Sequence, residues 1–284
     1  SSISLRTKKF AYLTFTPFVI APSVHMLSPP VHILLLCTST QTLNVSSSFA
    51  TKCSTSTFLL FINLNATIMQ KGDYHQCLNN TSFDTVNNGI IILSDNVSSN
   101  LGTVIRNNAA ERIGSHRKNN VSLTSIMDFS HNWNGYEYSS ADIRTVLRDP
   151  DNLDLRPKPH SILIDNGKIE GIVTQGFVGS APDIGAYEAG ASSYWIPGRQ
   201  EELASHPIPP NNSNDIKSSA ALMWRKALNA TSSKVYLGSS SNQVAVANES
   251  STLYKGEFEN NLYDPLGLSS GTYFWRVDEH TTSG

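Results

Sequence analysis

The sequence has little charge, and this bounds the classes of protein it can belong to. Charged residues make up 15% of the 284 residues and the formal net charge is −2, whereas about a quarter of the residues are charged in ordinary soluble domains. No basic field is available for nucleic acid, so nucleic acid is not expected as a partner. Ser, Thr and Asn replace the missing charges, which favours an extracellular β-rich protein over a cytosolic helical enzyme. The length suffices for about two domains.

Cysteine is scarce as well, and its spacing excludes several kinds of site. The three cysteines, Cys37, Cys53 and Cys77, form no Cys-x-x-Cys pair, which is the spacing of zinc and redox sites. One disulfide, Cys37 to Cys53, fits an oxidising compartment, and three separate thiols fit equally well. The histidines are scattered without a His-Glu-x-x-His run, so no metal or other cofactor is predicted, and calcium has no pattern in its support.

Long apolar runs are missing too, which matters for residues 1–70. The stretch RTKKFAYLTFTPFVIAPSV has the basic start and apolar core of a secretory signal, but prolines interrupt it. No run reaches the roughly 18–20 residues that span a bilayer, so no transmembrane segment is expected. Three interpretations of this poorly defined segment stay open: a signal with a linker, degraded early coils of the next domain, or a stretch that does not fold compactly. Both ends look cut, and we expect a fragment of a larger protein.

Asn-x-Ser/Thr sequons recur along the chain. In a secreted eukaryotic protein, exposed sequons carry N-linked glycans. The candidate glycosylation sites are Asn79, Asn96, Asn120, Asn229 and Asn248. Many sequons arise by chance in a chain this rich in Asn and Ser, so the alternative is that most of them are unused.

Residues 71–190 contain asparagines that recur after short apolar runs. Asn79-Asn80, Asn107-Asn108 and Asn132 follow one another at spacings of 28 and then 24 residues, about one turn of a parallel β-solenoid. Asn tolerates left-handed backbone at a corner, and stacked Asn side chains can pair along the axis. NNGIIILSD, between the first two pairs, has the pattern of a buried strand. The alternative is a set of Asn-rich loops between unrelated strands.

Two stretches further on carry a family resemblance. RDPDNLDLRPKPHSILIDNG (148–167) and FVGSAPDIGAYEAG (177–190) resemble the terminal coils of secreted right-handed parallel β-helix proteins of the pectin-lyase-like type. DIGAYE matches the closing motif in full, whereas Ile162 stands where the family usually has Pro. The resemblance implies a polar cap that ends the β-helix. In that cap Gly185 allows close approach, Ile184 and Ala186 plug the last layer, and Asp183 and Glu188 face water.

Some of these residues also have catalytic or metal-binding interpretations. Paired carboxylates serve glycosidases and clustered acidic oxygens suit calcium, but we predict that Asp165, Asp183 and Glu188 are structural. Polysaccharide lyases of this shape use Lys or Arg on central coils as the base, for which the nearest residues are Arg106 and Arg112, followed by Lys118. No spacing singles these three out, so no catalytic residue is predicted.

The remaining residues change character twice. Residues 191–210 are rich in proline and predict a semi-rigid linker, with Tyr194 and Trp195 available to pack on the cap. Residues 211–284 alternate polar and apolar residues with turns between, which predicts a half-buried antiparallel β-sandwich. They resemble fibronectin type III-like modules in a Trp strand, a VYLG strand and a closing YFWRVD strand, with the final strand missing. Alternation places Leu222 with Trp224 and Val235 with Leu237 on shared inner faces, and it points Arg276 and Asp278 outward from the strand of Trp275. Trp224 and Trp275 are therefore predicted core residues rather than sugar platforms on the surface.

The predicted fold class is all-β: a right-handed parallel β-helix end followed by a partial antiparallel β-sandwich. The function we expect is that of a secreted, non-enzymatic structural or adhesive protein of an extracellular matrix or surface, associated with polysaccharide or a biomineral matrix. The alternative is the C-terminal fragment of a polysaccharide lyase or glycoside hydrolase, which has only resemblance of shape in its favour.

Overall fold

The computed structural model describes residues 10–13, 66–71, 74–84, 88–93, 102–115, 117–118, 121–135 and 141–281. They form mainly β-strands, with one α-helix and four short 3-10 helices: α1 (Ser241–Val246), Leu123–Ile126, Ile143–Thr145, Pro150–Asn152 and Gly171–Thr174. The predicted all-β class is therefore confirmed. No helix in these ranges has the length and apolar character needed to cross a membrane. The predictions for residues 1–70, including the Cys37–Cys53 disulfide, lie outside the described residues except at 10–13 and 66–70.

The first half of the described chain consists of short strands that pair mostly in parallel. In chain order these strands are β1 (Phe10–Leu13), β2 (Ala66–Lys71), β3 (Gln76–Leu78), β4 (Thr81–Ser82), β5 (Asn88–Leu93), β6 (Val104–Arg106), β7 (Ala109–Ala110), β8 (Ile113–Ser115), β9 (Arg117–Lys118), β10 (Val121–Ser122), β11 (Asp128–Ser130) and β12 (Trp133–Asn134). Three parallel sheets result, with the orders β2-β5-β8, β3-β6-β11 and β4-β7-β12. The strands β9 and β10 form a separate antiparallel pair.

We call the three parallel sheets together the stack. Asparagine side chains join its successive strands at the corner between β3-β6-β11 and β4-β7-β12. Asn80 Nδ2 donates to Asn108 Oδ1 at 2.9 Å, 28 residues along the chain. Asn108 Nδ2 donates in turn to Asn132 Oδ1 at 2.9 Å, a further 24 residues along. The backbone is left-handed just before, with φ of 51° at Asn79 and 55° at Asn107, a conformation that Asn tolerates better than most residues. The predicted pairing of Asn side chains along the stack is confirmed.

The interior of the stack is apolar. Ile90, Ile92 and Ile105 are fully buried, and burial of each such side chain stabilises the fold by roughly 1.5–3 kcal/mol. They pack with further inward-facing residues, and the whole cluster is Cys77, Ile90, Ile92, Ile105, Ala110 and Ile113. The buried strand predicted from NNGIIILSD is β5, and its burial is confirmed at Ile90 and Ile92.

The segment 183–188 covers a side of the stack rather than its end, which corrects the predicted role of Ile184 and Ala186. Ile184 is buried, but it belongs to a cluster that includes Ala109, whereas Ala110 belongs to the interior cluster. Successive residues of a strand face opposite sides of a sheet. Ile184 therefore packs on the outer side of β4-β7-β12, and Ala186 is only partly buried there.

Gly185 brings the backbone of this segment into contact with the stack. Its N–H donates to the carbonyl oxygen of Asn107 at 2.8 Å, and the next N–H, of Ala186, donates to Thr81 Oγ1 at 2.9 Å. A Cβ on Gly185 would lie 2.8 Å from that same hydroxyl oxygen, and its φ is 110°. Glycine is therefore required by both space and backbone conformation, and the predicted close approach is confirmed.

The second half of the described chain contains antiparallel strands. They are β13 (Leu147–Asp149), β14 (Asp154–Pro157), β15 (Ser205–Ile208), β16 (Leu222–Arg225), β17 (Ala230–Gly238), β18 (Tyr254–Phe258), β19 (Leu262–Tyr263) and β20 (Tyr273–Thr281). The strands β13 and β14 pair with each other, and the others form two sheets with the orders β15-β16-β19 and β1-β20-β17-β18. Every pairing in these sheets is antiparallel.

The two larger antiparallel sheets enclose one apolar cluster. Leu222 and Trp224 on one sheet meet Val235, Leu237 and Trp275 on the other. The alternation read from the sequence predicted each of these as inward-facing, and this is confirmed. The indole rings of Trp224 and Trp275 are 6.2 Å apart between centroids, and both residues are almost fully buried. They are core residues and not sugar platforms.

The opposite side of β20 is also covered, which the alternation did not predict. Arg276 and Asp278 were expected to point outward into water, but they are 4% and 8% exposed. The Arg276 guanidinium donates to both carboxylate oxygens of Asp278 at 2.8 Å. It also donates to the carbonyl oxygens of Val244 and Ala245, at the end of α1. The helix α1 therefore lies over this side of β20, and the side chains of Arg276 and Asp278 are buried beneath it.

One apolar cluster extends from the parallel sheet β4-β7-β12 to the antiparallel sheet β15-β16-β19. It includes Trp133 from β12, Ile184, Ile196 from the predicted linker, and Met223 from β16. The predicted linker, residues 191–210, also contributes β15, which pairs with β16. The segment between the two predicted domains is thus packed on both sides.

Candidate functional site

Arg106, one of the three basic residues considered for a lyase-type base, lies on the outer side of β6 and is held by two carboxylates. Its guanidinium forms ion pairs with Asp128 on β11 and with Glu170, and Ser130 Oγ donates to Asp128 Oδ1 at 3.1 Å. The hydrogen bond with Asp128 raises the pKa of Arg106, and the same bond lowers the pKa of Asp128. Both groups are kept charged, and a guanidinium held protonated in this way is poorly suited to act as a base.

The other two basic candidates are not brought to Arg106. Arg112 is exposed and lies between β7 and β8, and its carbonyl oxygen accepts the N–H of Gly89 at 2.8 Å. Lys118 lies in β9, opposite Val121 of β10. The three residues therefore form no common site along the described strands.

The acidic residues near the closing motif bind backbone N–H groups. Asp165 Oδ1 accepts from Ser180 N at 2.7 Å, and Asp183 accepts from Asp165 N at 2.9 Å and from Ala189 N at 2.6 Å. Asp183 is only 1% exposed, so its predicted place in water is wrong. The turns of this segment leave N–H groups inside the fold, and the carboxylate satisfies them.

Glu188 also turns inward, against the prediction that it faces water. Its carboxylate accepts from Asp183 N at 3.1 Å and from Val178 N at 3.3 Å. Burial raises the pKa of Glu188 to about 7 and raises the pKa of Asp183 as well. The structural interpretation of these carboxylates therefore has direct support in their contacts. Across the described residues, no group of three or more His, Cys, Asp or Glu side chains is arranged to hold a metal ion.

Trp195 is the tryptophan that faces solvent, with 57% of its surface exposed, whereas Trp133, Trp224 and Trp275 are at most 2% exposed. It had been expected to pack on the cap beside Tyr194. Only Tyr194 does so, at 7% exposure, with its ring edge-on to Tyr187 at 5.6 Å between centroids. Sequence reasoning missed Trp195 as a surface feature because aromatic residues in a linker are as consistent with packing as with exposure.

Two cavities meet at the Trp195 side chain. The smaller, about 160 Å³, is lined by Glu188, Ser193 and Trp195 among others. The larger, about 490 Å³, is lined by Trp195 together with Gln200, Arg225, Lys226 and Asn261. An exposed indole beside two cavities of mixed polar and apolar lining suits a sugar chain, because the apolar face of a sugar ring can stack on the indole while its hydroxyl groups reach polar side chains. We call this region, from Glu188 to Lys226 across Trp195, the joint groove.

The backbone that presents Trp195 is fixed by buried hydrogen bonds. Tyr187 Oη donates to the carbonyl oxygen of Trp195 at 3.0 Å. Asn261, before β19, accepts from Tyr194 N at 2.8 Å and donates to the Tyr194 carbonyl at 2.7 Å. Arg225 Nε donates to the Ile196 carbonyl at 3.0 Å. Residues from both halves of the protein thus fix the backbone from which the indole projects, and a pre-ordered backbone lowers the ordering cost of binding.

The candidate glycosylation sites differ in accessibility. Asn229 and Asn248 are exposed at turns, where a glycan fits. Asn79 is 8% exposed, and its Oδ1 accepts from Asn107 Nδ2 at 3.1 Å, so a glycan there would have to displace a packed contact. Asn96 and Asn120 lie outside the described residues. Glycosylation at all five remains a prediction.

Comparisons of the chain with protein-family models, with curated proteins and with solved structures find no match.

Proposed function

We propose that the protein is a secreted, non-enzymatic scaffold that binds polysaccharide in an extracellular matrix or at a cell surface. The observation that carries this proposal is the exposed Trp195 beside the two cavities of the joint groove, whose linings combine apolar surface with polar side chains. An aromatic side chain that lines a cavity together with a few polar groups is the usual composition of a small-molecule site. The extracellular part of the proposal is supported by a composition rich in Ser, Thr and Asn, and by the exposed sequons at Asn229 and Asn248.

The proposal includes a finer description of the fold. The parallel sheets, the regular spacing of their strands and the Asn ladder support the end of a right-handed parallel β-helix. Two antiparallel sheets around Trp224 and Trp275 support a fibronectin type III-like sandwich. A continuous core through Ile196 and Met223 would hold these two units in one orientation, which is the mechanical property that a scaffold needs.

The test is retention of the protein by polysaccharides in affinity gel electrophoresis. The full chain should be slowed by at least one of a panel of neutral and acidic plant and algal polysaccharides. Trp195→Ala should lose most of this retention and keep its thermal stability, because its side chain is exposed. Tyr74→Ala is the matched control, since Tyr74 is 67% exposed and lies before β3, away from the joint groove. Equal retention of the wild type and Trp195→Ala on every polysaccharide would refute the proposed site.

The enzymatic alternative would have to use Arg106, although its two ion pairs make this residue a poor base. Arg106 lies on the outer side of a parallel strand, beside two carboxylates, and its buried Nε makes no hydrogen bond with the described chain. We expect no eliminative cleavage of alginate or pectate by the full chain. Absorbance from unsaturated product that disappears in Arg106→Ala would establish the alternative instead.

A further inference from the structure

The wall of the larger cavity of the joint groove contains a buried cation with an unused donor. Arg225 is 5% exposed, and its Nε and Nη1 donate to the carbonyl oxygens of Ile196 and Arg199, both at 3.0 Å. The remaining nitrogen, Nη2, makes no hydrogen bond with any part of the chain that the structure describes. A buried charged donor without an acceptor is unfavourable, so an acceptor supplied by a ligand would stabilise this arrangement.

Glycine keeps one side of this guanidinium clear of side chains. Gly198 passes over it with φ of 116°, and a Cβ at Gly198 would lie only 2.3 Å from Arg225 Nη2. Any other residue would therefore press its side chain onto the cation. Nη2 has almost no contact with solvent in this conformation. The charge of the guanidinium nevertheless attracts an anion into the cavity that Arg225 lines.

A second cation lines the same cavity. Lys226 Nζ donates to the carbonyl oxygens of Thr231 at 3.3 Å and Glu259 at 2.8 Å, which are neutral acceptors. Glu201 is the acidic residue whose charge acts on Arg225, and it offsets part of this field. Glu279 acts on Lys226 in the same way. Among the described residues that line the larger cavity, however, Arg225 and Lys226 are charged and none is acidic, which favours a negative group inside it.

The two ends of the joint groove differ in charge. The smaller cavity contains Glu188, whose carboxylate is already occupied by backbone N–H groups and repels a second carboxylate when ionised. The larger cavity contains Arg225 and Lys226. We propose that the joint groove binds an acidic saccharide, with one sugar ring stacked on Trp195 and a carboxylate directed toward Arg225. This inference rests on the proposed function and specifies its ligand class.

The test compares two trisaccharides that differ in charge but not in sugar sequence. Isothermal titration calorimetry on the full chain would use trigalacturonate and its fully methyl-esterified form, and we expect the acid to bind about tenfold more tightly. Gln200→Glu adds a negative charge at an exposed position that lines the larger cavity, and should weaken binding of the acid about three- to tenfold. It should leave the affinity for the ester unchanged. The matched control is Gln243→Glu, which adds the same charge on α1, outside the joint groove.

Each other outcome contradicts the inference in a different way. Equal affinities for the acid and the ester would show that Arg225 does not favour an acidic saccharide over a neutral one. Equal effects of Gln200→Glu and Gln243→Glu would show the same. Competition by millimolar inorganic sulfate with the same strength as trigalacturonate would reduce the site to a general anion site. If neutral polysaccharides alone are retained through Trp195, this inference fails and the proposed function stands. If no polysaccharide is retained, both fail.

Discussion

Replacing Asn108 with alanine should remove the central rung of the Asn ladder. Asn108 is fully buried. Its Oδ1 accepts from the backbone N–H and the side chain of Asn80, at 3.1 and 2.9 Å. Its Nδ2 donates to the carbonyl oxygens of Cys77 and Arg106 and to the side chain of Asn132, at 2.8–2.9 Å. The Cys77 thiol also donates to Oδ1, at 3.5 Å. Alanine would leave these six partner atoms without this contact, several of them closed to water.

Each lost hydrogen bond costs about 0.5–1.5 kcal/mol, so we expect Asn108→Ala to lower the free energy of unfolding by about 3–5 kcal/mol. Urea denaturation followed by tryptophan fluorescence would measure this, because Trp133 reports on the neighbouring core. With an m-value of about 2–3 kcal/mol/M, the midpoint should fall by about 1–2 M. The control is Asn166→Ala, in which an exposed side chain loses two contacts to its own turn. Similar midpoints for the two variants would refute the ladder as a source of stability.

Two further predictions concern buried charge. Arg276→Met should lower the free energy of unfolding by about 3–5 kcal/mol, because it leaves the Asp278 carboxylate buried without its partner. Adding Asp278→Asn should recover part of the loss in thermal melts, and a loss below about 1 kcal/mol in the single variant would contradict this. Burial raises the pKa of Glu188 from 4.5 to about 7, so the folded protein keeps a proton that the unfolded chain releases in this range. The stability linked to Glu188 is therefore full below pH 4.5 and is lost as the pH rises through about 7. Glu188→Gln should flatten that part of the pH profile of the melting temperature, and parallel profiles would be inconsistent with the raised pKa.

Local patterns in the sequence were sufficient to predict some of the strands, such as β5 and β20, and the spacing of the paired asparagines. The backbone turns left-handed at Asn79, Asn107 and His131. The residues that follow them pair their side chains with one another along the stack, and they are Asn80, Asn108 and Asn132. The regular spacing of Asn in the sequence and the pairing in the structure therefore have one cause. Likewise, alternation in YFWRVDE placed Trp275 inside, because side chains of a strand alternate between its faces. These features depend on contacts that repeat regularly along the chain.

The features that the sequence did not predict depend on contacts between distant segments. Asp183 was expected in water, but turns around it direct N–H groups inward and its carboxylate satisfies them. Arg276 is buried because α1 folds back over β20. The joint groove is of the same kind: Trp195 is exposed because Tyr187 and Asn261 fix the backbone on either side of it. Nothing in the linker sequence specifies those partners.

The polysaccharide-binding role of Trp195 can be tested most directly by the indole N–H signals of the protein in a ¹H–¹⁵N spectrum. The chain has four tryptophans, and Trp195 is the one with an exposed ring, since the other three are at most 2% exposed. Titration with trigalacturonate, or with a neutral trisaccharide from a retained polysaccharide, should move the Trp195 signal and leave the other three in place. If the Trp195 signal stays still while the protein is retained by the polysaccharide, the ligand binds elsewhere and the joint groove is not the binding site.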